Sequence, residues 1–267
     1  MLRGFYTTAS GMVAMQRKQE ALSNNLANMN TPGYKEDQTA VRAFPELLLQ
    51  KMGAKNTPAG NRLPQGMSDP IGPLTTGVYV QEVIPNFQQG TVRETGLSTD
   101  VALVQGELPD ETGGLFFTVQ NETGEERLTR NGNFTVDGEG FLTTNEGYYV
   151  LDETGNPIQT NSLDFTVSDE GVLTADGGES NLGIAYVEDA NELEKEGDNL
   201  YAGEAAALPE GVTYSTQQGA LEQANVDAGQ TMADMTGTYR LFEANQRALR
   251  AYDQSMDQAV NDVGRIG

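Results

Sequence analysis

The sequence predicts an α+β protein in which paired N- and C-terminal coiled-coil helices carry a central all-β domain of short antiparallel strands. Three observations predict it. Apolar residues recur every third or fourth position over 2–29, the same spacing returns over 232–263, and the chain between them is punctuated by turn glycines.

Leu2, Phe5, Ala9, Met12, Met15, Leu22, Leu26 and Met29 form one helical stripe, with polar Gln19 in the gap between Met15 and Leu22. The heptad holds on either side of a single short step between Met12 and Met15. Asn30-Thr31-Pro32-Gly33 predicts the stop, because proline and glycine follow the last apolar position. At the other end Met232, Met235, Tyr239, Phe242, Gln246, Leu249, Asp253, Met256, Val260 and Val263 alternate steps of three and four throughout. That run is long enough for a coiled coil, in which Gln246 and Asp253 weaken the seam but fix register. The middle of the chain offers no third helix, so these stripes have mainly each other and neighbouring subunits to bury against. Asn24, Asn25, Asn28 and Asn30 cluster where helix propensity would not choose them. Some suit caps and solvent; buried amides between packed helices would fix register through hydrogen bonds.

Residues 53–77 hold four prolines and five glycines with no apolar period, which predicts an extended loop or linker. VYVQEV, with Val78, Val80 and Val83, predicts a half-exposed strand. Turn dipeptides follow at Thr123-Gly124, Asn131-Gly132, Asp137-Gly138, Glu146-Gly147, Thr154-Gly155, Glu170-Gly171 and Asp176-Gly177. They predict a β-meander closing into a barrel or sandwich. FTVDGEGFLT at 134–143 matches FTVSDEGVLT at 165–174 in seven of ten places, each copy reading as a hairpin. Duplication and convergent hairpin chemistry account for the match equally well.

Composition removes much chemistry. The 267 residues contain no cysteine and no histidine, so disulfides, thiolate metal sites and the commonest general base are unavailable. The acidic turns at Asp137 and Asp152 do not fit a twelve-residue calcium loop and read as turn residues. A sugar cleft has no tryptophan platform, and no phosphate-binding glycine loop occurs. No catalytic, cofactor-binding or metal-binding residue is therefore assigned. The net charge of −23 disfavours nucleic acid. It is unevenly placed: 1–55 holds seven Lys/Arg against four Asp/Glu, whereas 97–220 holds three against twenty-five, a net −22. No apolar run approaches the roughly 20 residues of a membrane span, so no direct membrane insertion is expected, and the start does not fit a general secretory signal.

The run YTTASGMVAMQRKQEALSNNLANMNTPGYK resembles the start motif of the flagellar basal-body rod and hook proteins, the axial family of the bacterial flagellum. FQQGTVRETGLSTDVAL at 87–103, LTRNGNFTVDGEGFLTTNEGYYVL at 128–151, QGALEQANVD and YRLFEANQRAL are similar to its later segments. Two departures stand out: an acidic insertion in QGELPDETGGLFFTV before Phe116-Phe117, and no acidic residue at the helix start around Gly229-Gln230-Thr231. Length and the proline-rich insert look more like the distal-rod type, or its Gram-positive relatives, than a full hook protein. The resemblance implies a non-enzymatic structural subunit of the basal-body rod without cofactors, exported through the flagellar type III export apparatus. It implies an inner helical layer, an outward β domain, and as partners further copies of the chain and adjacent rod and hook proteins. Alternatives are a hook or hook-cap component, or a cell-wall-associated binding module. The expected organisation is 1–35 with 221–267 as the helical assembly domain, 36–96 as a linker region with one strand, and 97–220 as the acidic outer domain. The expected assembly interface is Leu2, Phe5, Met12, Leu22, Asn25, Leu26, Met235, Tyr239, Phe242, Leu249 and Met256.

Overall fold

A computed structural model describes residues 2–51, 69–110, 112–176, 178–197, 199–206, 208–209 and 211–264. The chain divides into two compact units, the first gathering residues 1–23, 39–83 and 232–267, the second 24–38 and 84–231. The stretch expected as a linker, 36–96, is thus shared between them. Among the described residues no helix is long and apolar enough to cross a membrane.

The first unit is built on two long helices, α1 (Leu2–Ala27) and α2 (Ala228–Gly264), each extending at one end into the second unit. Its strands are β1 (Asp37–Ala43), β2 (Leu47–Lys51), β3 (Asp69–Leu74) and β4 (Val78–Pro85), which form two two-stranded pairs, β1 with β4 and, antiparallel, β2 with β3. The predicted loop 53–77 lies partly outside the described residues, but β3 corrects its end: residues 69–74 are a strand despite Pro70 and Pro73. The pair is two-stranded, so each strand keeps one free edge where a proline costs no ladder bond, and a register shift at Leu49/Gln50 absorbs the irregularity. In β4 Val80 is buried while Val83 is exposed, because 83 is out of step with the alternation set by 78 and 80. The turn before β4 rests on α1: Thr7 Oγ1 donates to the Thr76 carbonyl at 3.2 Å, and Ser10 Oγ accepts the Val78 N–H at 3.3 Å.

The start of α2 answers the missing acidic residue. Asp227 is the cap, one residue before the helix, and its Oδ1 accepts the Gln230 N–H at 3.0 Å. At the end of α1, Asn28 Nδ2 bonds Asn24 Oδ1 at 2.7 Å, and Asn28 Oδ1 accepts the Thr31 hydroxyl, so these two asparagines serve the helix end, while Asn30 is exposed.

The second unit holds β5 (Val92–Glu94), β6 (Val101–Gln105), β7 (Gly114–Gln120), β8 (Glu126–Thr129), β9 (Phe134–Val136), β10 (Leu142–Thr144), β11 (Tyr149–Val150), β12 (Thr166–Val167), β13 (Val172–Ala175), β14 (Gly178–Asn181), β15 (Ile184–Val187), β16 (Glu194–Lys195), β17 (Leu200–Ala202), β18 (Tyr214–Gln218) and β19 (Ala220–Glu222). The main sheet runs β16-β17-β8-β7-β11-β10-β9, with β15 sharing one edge of β7 with β11. Smaller sheets are β12-β13-β14, β18-β6 and β19-β5. The pairing is antiparallel throughout these ladders, as the sequence predicts, but the end strands β16 and β9 do not pair, so this sheet is open and not a closed barrel. Central β7 is buried on both faces. Leu115, Phe117 and Val119 enter the larger core with Val101, Leu142, Val150 and Leu173, while Phe116 packs with Tyr201 and Phe87 on the other side.

The hairpins share one turn chemistry. In Asn121–Glu125, Asp137–Phe141, Thr144–Tyr148, Asp152–Asn156 and Ser168–Val172 the first side chain accepts the fifth residue's N–H, and the fourth residue is a glycine at positive φ. This is a type I turn closed by a glycine bulge, not the two-residue turn that a dipeptide implies. In Asp137–Phe141 it is Gly140, and not Gly138 of the turn dipeptide, that takes the left-handed position. Asn131-Gly132 is no hairpin turn at all. It connects β8 to β9, which do not pair, and a Cβ on Gly132 would collide with the Val101 carbonyl. The repeated decapeptides do form equivalent hairpins in the same register: Val136 pairs with Leu142 as Val167 pairs with Leu173, and Thr135 with Thr143 as Thr166 with Thr174.

Candidate assembly interface

Within the first unit α1 and α2 approach each other at two glycines one heptad apart. A Cβ on Gly4 would lie 2.5 Å from the Tyr252 ring, and one on Gly11 would lie 3.2 Å from the Asn245 amide. As the number rises in α1 it falls in α2, so the helices are antiparallel there. The missing side chains leave a groove that accepts a large or polar partner from α2.

This moves the covered face of α2 from its predicted position. The row Met235, Phe242, Leu249 and Met256 is partly buried within the subunit. Its companion within the subunit is Thr238, Asn245, Tyr252 and Ala259, and not the predicted row Met232, Tyr239, Gln246, Asp253 and Val260. Of that predicted row only Gln246 is partly covered; Met232, Asp253, Tyr239 (49 % exposed) and Val260 (71 %) face outwards. Leu241 is exposed as well, on the opposite face of α2, as are Tyr6 and Val13 on α1.

On α1, Phe5, Met12 and Leu26 are partly buried and Leu22 is buried, whereas the Leu2 side chain lies outside the described residues. Gly11 and Ala14, absent from the predicted stripe, are among the most covered positions. Asn25 requires a correction. It is 0 % exposed, and its partners are not on another helix: Nδ2 donates to the Asp37 carbonyl, while Oδ1 accepts the Asp37 N–H, both at 2.9 Å, and the Tyr34 hydroxyl at 3.0 Å. It fixes the chain leaving α1 and has no surface to offer a neighbour.

Asn25 belongs to a polar cluster in the second unit that spacing and periodicity did not reveal. Its centre is the buried Glu222 carboxylate. Lys35 Nζ reaches Oε1 at 2.7 Å, the Gly90 N–H donates to Oε1 at 2.8 Å, and Arg130 Nε and Nη2 hold Oε2 at 2.9 and 2.7 Å. The cations reach further: Lys35 donates to the Gln88 carbonyl, and Arg130 to those of Leu115 and Leu103. Beside it Lys195 pairs with Asp37 at 3.0 Å and lies 4.4 Å from the centre of the Tyr34 ring. Asn225 accepts the Glu36 N–H at 2.7 Å and donates to the carbonyls of Asn86 and Gln88. Burial is the main force on the titrating groups: it lowers Lys35 to about 8 against the opposing pull of Glu222, and with Asp37 it raises the Tyr34 phenol. The glycines let backbones meet here, since a Cβ on Gly33, at positive φ, would strike the Arg130 and Asn131 backbone, and one on Gly90 the Gln223 carbonyl. The signal in the sequence was the motif segments: TPGYK, FQQG, LTRNG and LEQAN each supply one corner.

Two long helices, one of them with apolar side chains turned outwards, and a β unit tied by a buried ionic cluster are the features of a structural assembly subunit. Comparison with known proteins specifies it. Residues 5–35 match the family described as flagella basal body rod protein, 112–175 the flagellar hook protein FlgE/F/G D1 domain, and 217–262 the flagellar basal body rod FlgEFG protein C-terminal family. The chain is 40 % identical to the flagellar hook-basal body complex protein FlhO of Bacillus subtilis over 100 % of both chains. It is 31 % identical to the flagellar basal-body rod protein FlgG of Borreliella burgdorferi, covering 98 % of each, and 30 % identical to FlgF of Caulobacter vibrioides, covering 100 % of this chain and 99 % of that one. The chain belongs to the flagellar basal-body rod protein family, and it is a structural subunit of the flagellar basal body.

Proposed function

We infer that the chain polymerises helically into the rod and passes motor torque towards the hook, with α2 as a helix of two seams. One seam, the rows of Met235 and Thr238, is occupied by its own α1; the other, the rows of Met235 and Met232, receives a neighbouring copy. The observation that carries this reading is the exposure of Met232, Tyr239 and Val260, which stand on one heptad row with Gln246 and Asp253 between them, beside a row already partly buried. A surface row complementary to a different surface of the next copy makes a head-to-tail contact, and such contacts build open filaments. The coiled-coil layer is thus completed between subunits.

Phe5, Met12, Leu22, Leu26, Phe242, Leu249 and Met256 support this layer from within the subunit, and Tyr239 contacts the neighbour directly. The subunit has no catalytic role; its partners are itself, adjacent rod and hook proteins and, during delivery, the flagellar type III export apparatus. Tyr239→Asp and Val260→Asp are expected to leave the β unit folded, by amide exchange of its strands, while abolishing rods and motility. Asp257→Ala, an exposed change off this row, is expected to assemble normally. Normal rods from both Asp variants would overturn the two-seam reading.

A further inference from the structure

We propose that residues 214–225 are a closing strap, and that the Glu222 carboxylate is the latch that lets the second unit complete its fold only after the end of that unit is in place. The strap touches segments far away in sequence. β18 pairs with β6, β19 pairs with β5, and Glu222 meets Lys35, Gly90 and Arg130 across separations of 187, 132 and 92 residues. The hairpins β7-β8, β9-β10 and β12-β13 instead close across single short turns. Short loops close at lower entropic cost, so these hairpins form first and the strap arrives later.

Charge sharpens that order. Before Glu222 arrives, Lys35 and Arg130 are two cations aimed at one site with no anion to share, and burying them together is disfavoured by desolvation and mutual repulsion. Asp37 does not substitute, because Lys195 takes both of its oxygens. The other charged or ionisable neighbours are Glu36, at the edge of the cluster, and the Tyr34 and Tyr201 phenols. The segment 33–37 therefore stays open, with the N–H groups of Gly33, Glu36 and Gly90 unpaired, until Glu222 and Asn225 supply their acceptors. One carboxylate then bridges both cations, lowering the charge of the site from two positives to one, and joins the chain leaving α1 to the chain entering α2.

The test is pulse-labelled hydrogen exchange during refolding of the full chain. Early reporters are the amides of Asp137, Thr144 and Ile158, which bond within the hairpin region. Late reporters are Gly33, Glu36, Gly90 and Gln223. The late set is expected to gain protection in a separate, slower phase. In Glu222→Gln that phase is expected to slow about tenfold or more, or to vanish, while the early phase is unchanged. Protection of both sets in one phase would overturn the proposal. So would a Glu222→Gln chain whose late phase is unaltered, or one that loses the early phase as well.

Discussion

At the scale of single residues, Lys35 gives the β unit one response to pH. Lys35 titrates near 8 in the folded chain against its ordinary 10.5, because burial disfavours the ammonium and Arg130 repels it. The folded state then binds fewer protons than the unfolded state between about pH 8 and 10.5, so this group's contribution to stability rises with pH across that window. Tyr34 and Tyr201 act in the opposite sense, since burial raises both phenols; their contribution is complete below about pH 10 and is lost above it. Compared with Lys35→Met, the wild-type chain should therefore gain relative stability from pH 7.5 to 10, by at most about 2 to 3 kcal/mol. Denaturant midpoints of the two chains across that range measure it, and a constant difference would mean that Lys35 titrates as an ordinary lysine. Separately, Gly33→Ala should cost about 1 to 3 kcal/mol, because it combines a left-handed backbone with a Cβ directed at the Arg130 backbone.

At the scale of elements, what the sequence disclosed and what it withheld have a common physical origin. Helix and strand periodicity report which side chains are apolar, and this was enough to place α1, α2 and most turns of the β unit. Periodicity does not report where a side chain is missing. Gly4 and Gly11 create the groove that draws Tyr252 and Asn245 inwards, so the covered face of α2 turns away from its most apolar pair of rows. The Asn131-Gly132 crossover was misread for a similar reason, since a glycine for close backbone approach looks the same in sequence as a turn glycine. The ionic cluster was legible only as motif fragments, because its members are separated by up to 187 residues. The glycine groove makes its own prediction. Alanine favours a helix over glycine by about 1 kcal/mol, and Gly11→Ala needs only a slight shift of a flexible amide, so that variant should be neutral or stabilising. Gly4→Ala drives a methyl into the Tyr252 ring and should loosen the helix pair; Tyr252→Leu should restore it. Thermal melts of helical circular dichroism for the two singles and the double distinguish a packing groove from mere helix propensity, which would make both alanines stabilising.

At the scale of the whole molecule, the charge map sets the conditions under which subunits can be brought together. Residues 97–220 carry a net −22, while 1–55 carry +3. In a polymer these acidic segments repeat with every subunit, and their mutual repulsion opposes the apolar contacts of the helices. The repulsion acts between exposed groups through solvent and is screened over about 10 Å at 0.1 M salt, whereas burial of Tyr239 and Val260 is not weakened by simple salt. Polymerisation should therefore be enhanced on raising sodium chloride from about 20 to 300 mM, opposite to an assembly held by surface ion pairs. Replacing exposed turn acids, Glu122, Glu153 and Glu170, with glutamine removes three charges from each subunit without touching the capping side chains Asn121, Asp152 and Ser168. Sedimentation of the polymer across this salt range should show a shallower dependence for the triple variant. If assembly instead declined with salt, attraction between the basic N-terminal stretch and the acidic middle of another copy would outweigh the repulsion, and the two ends of the charge map would be an interface in their own right.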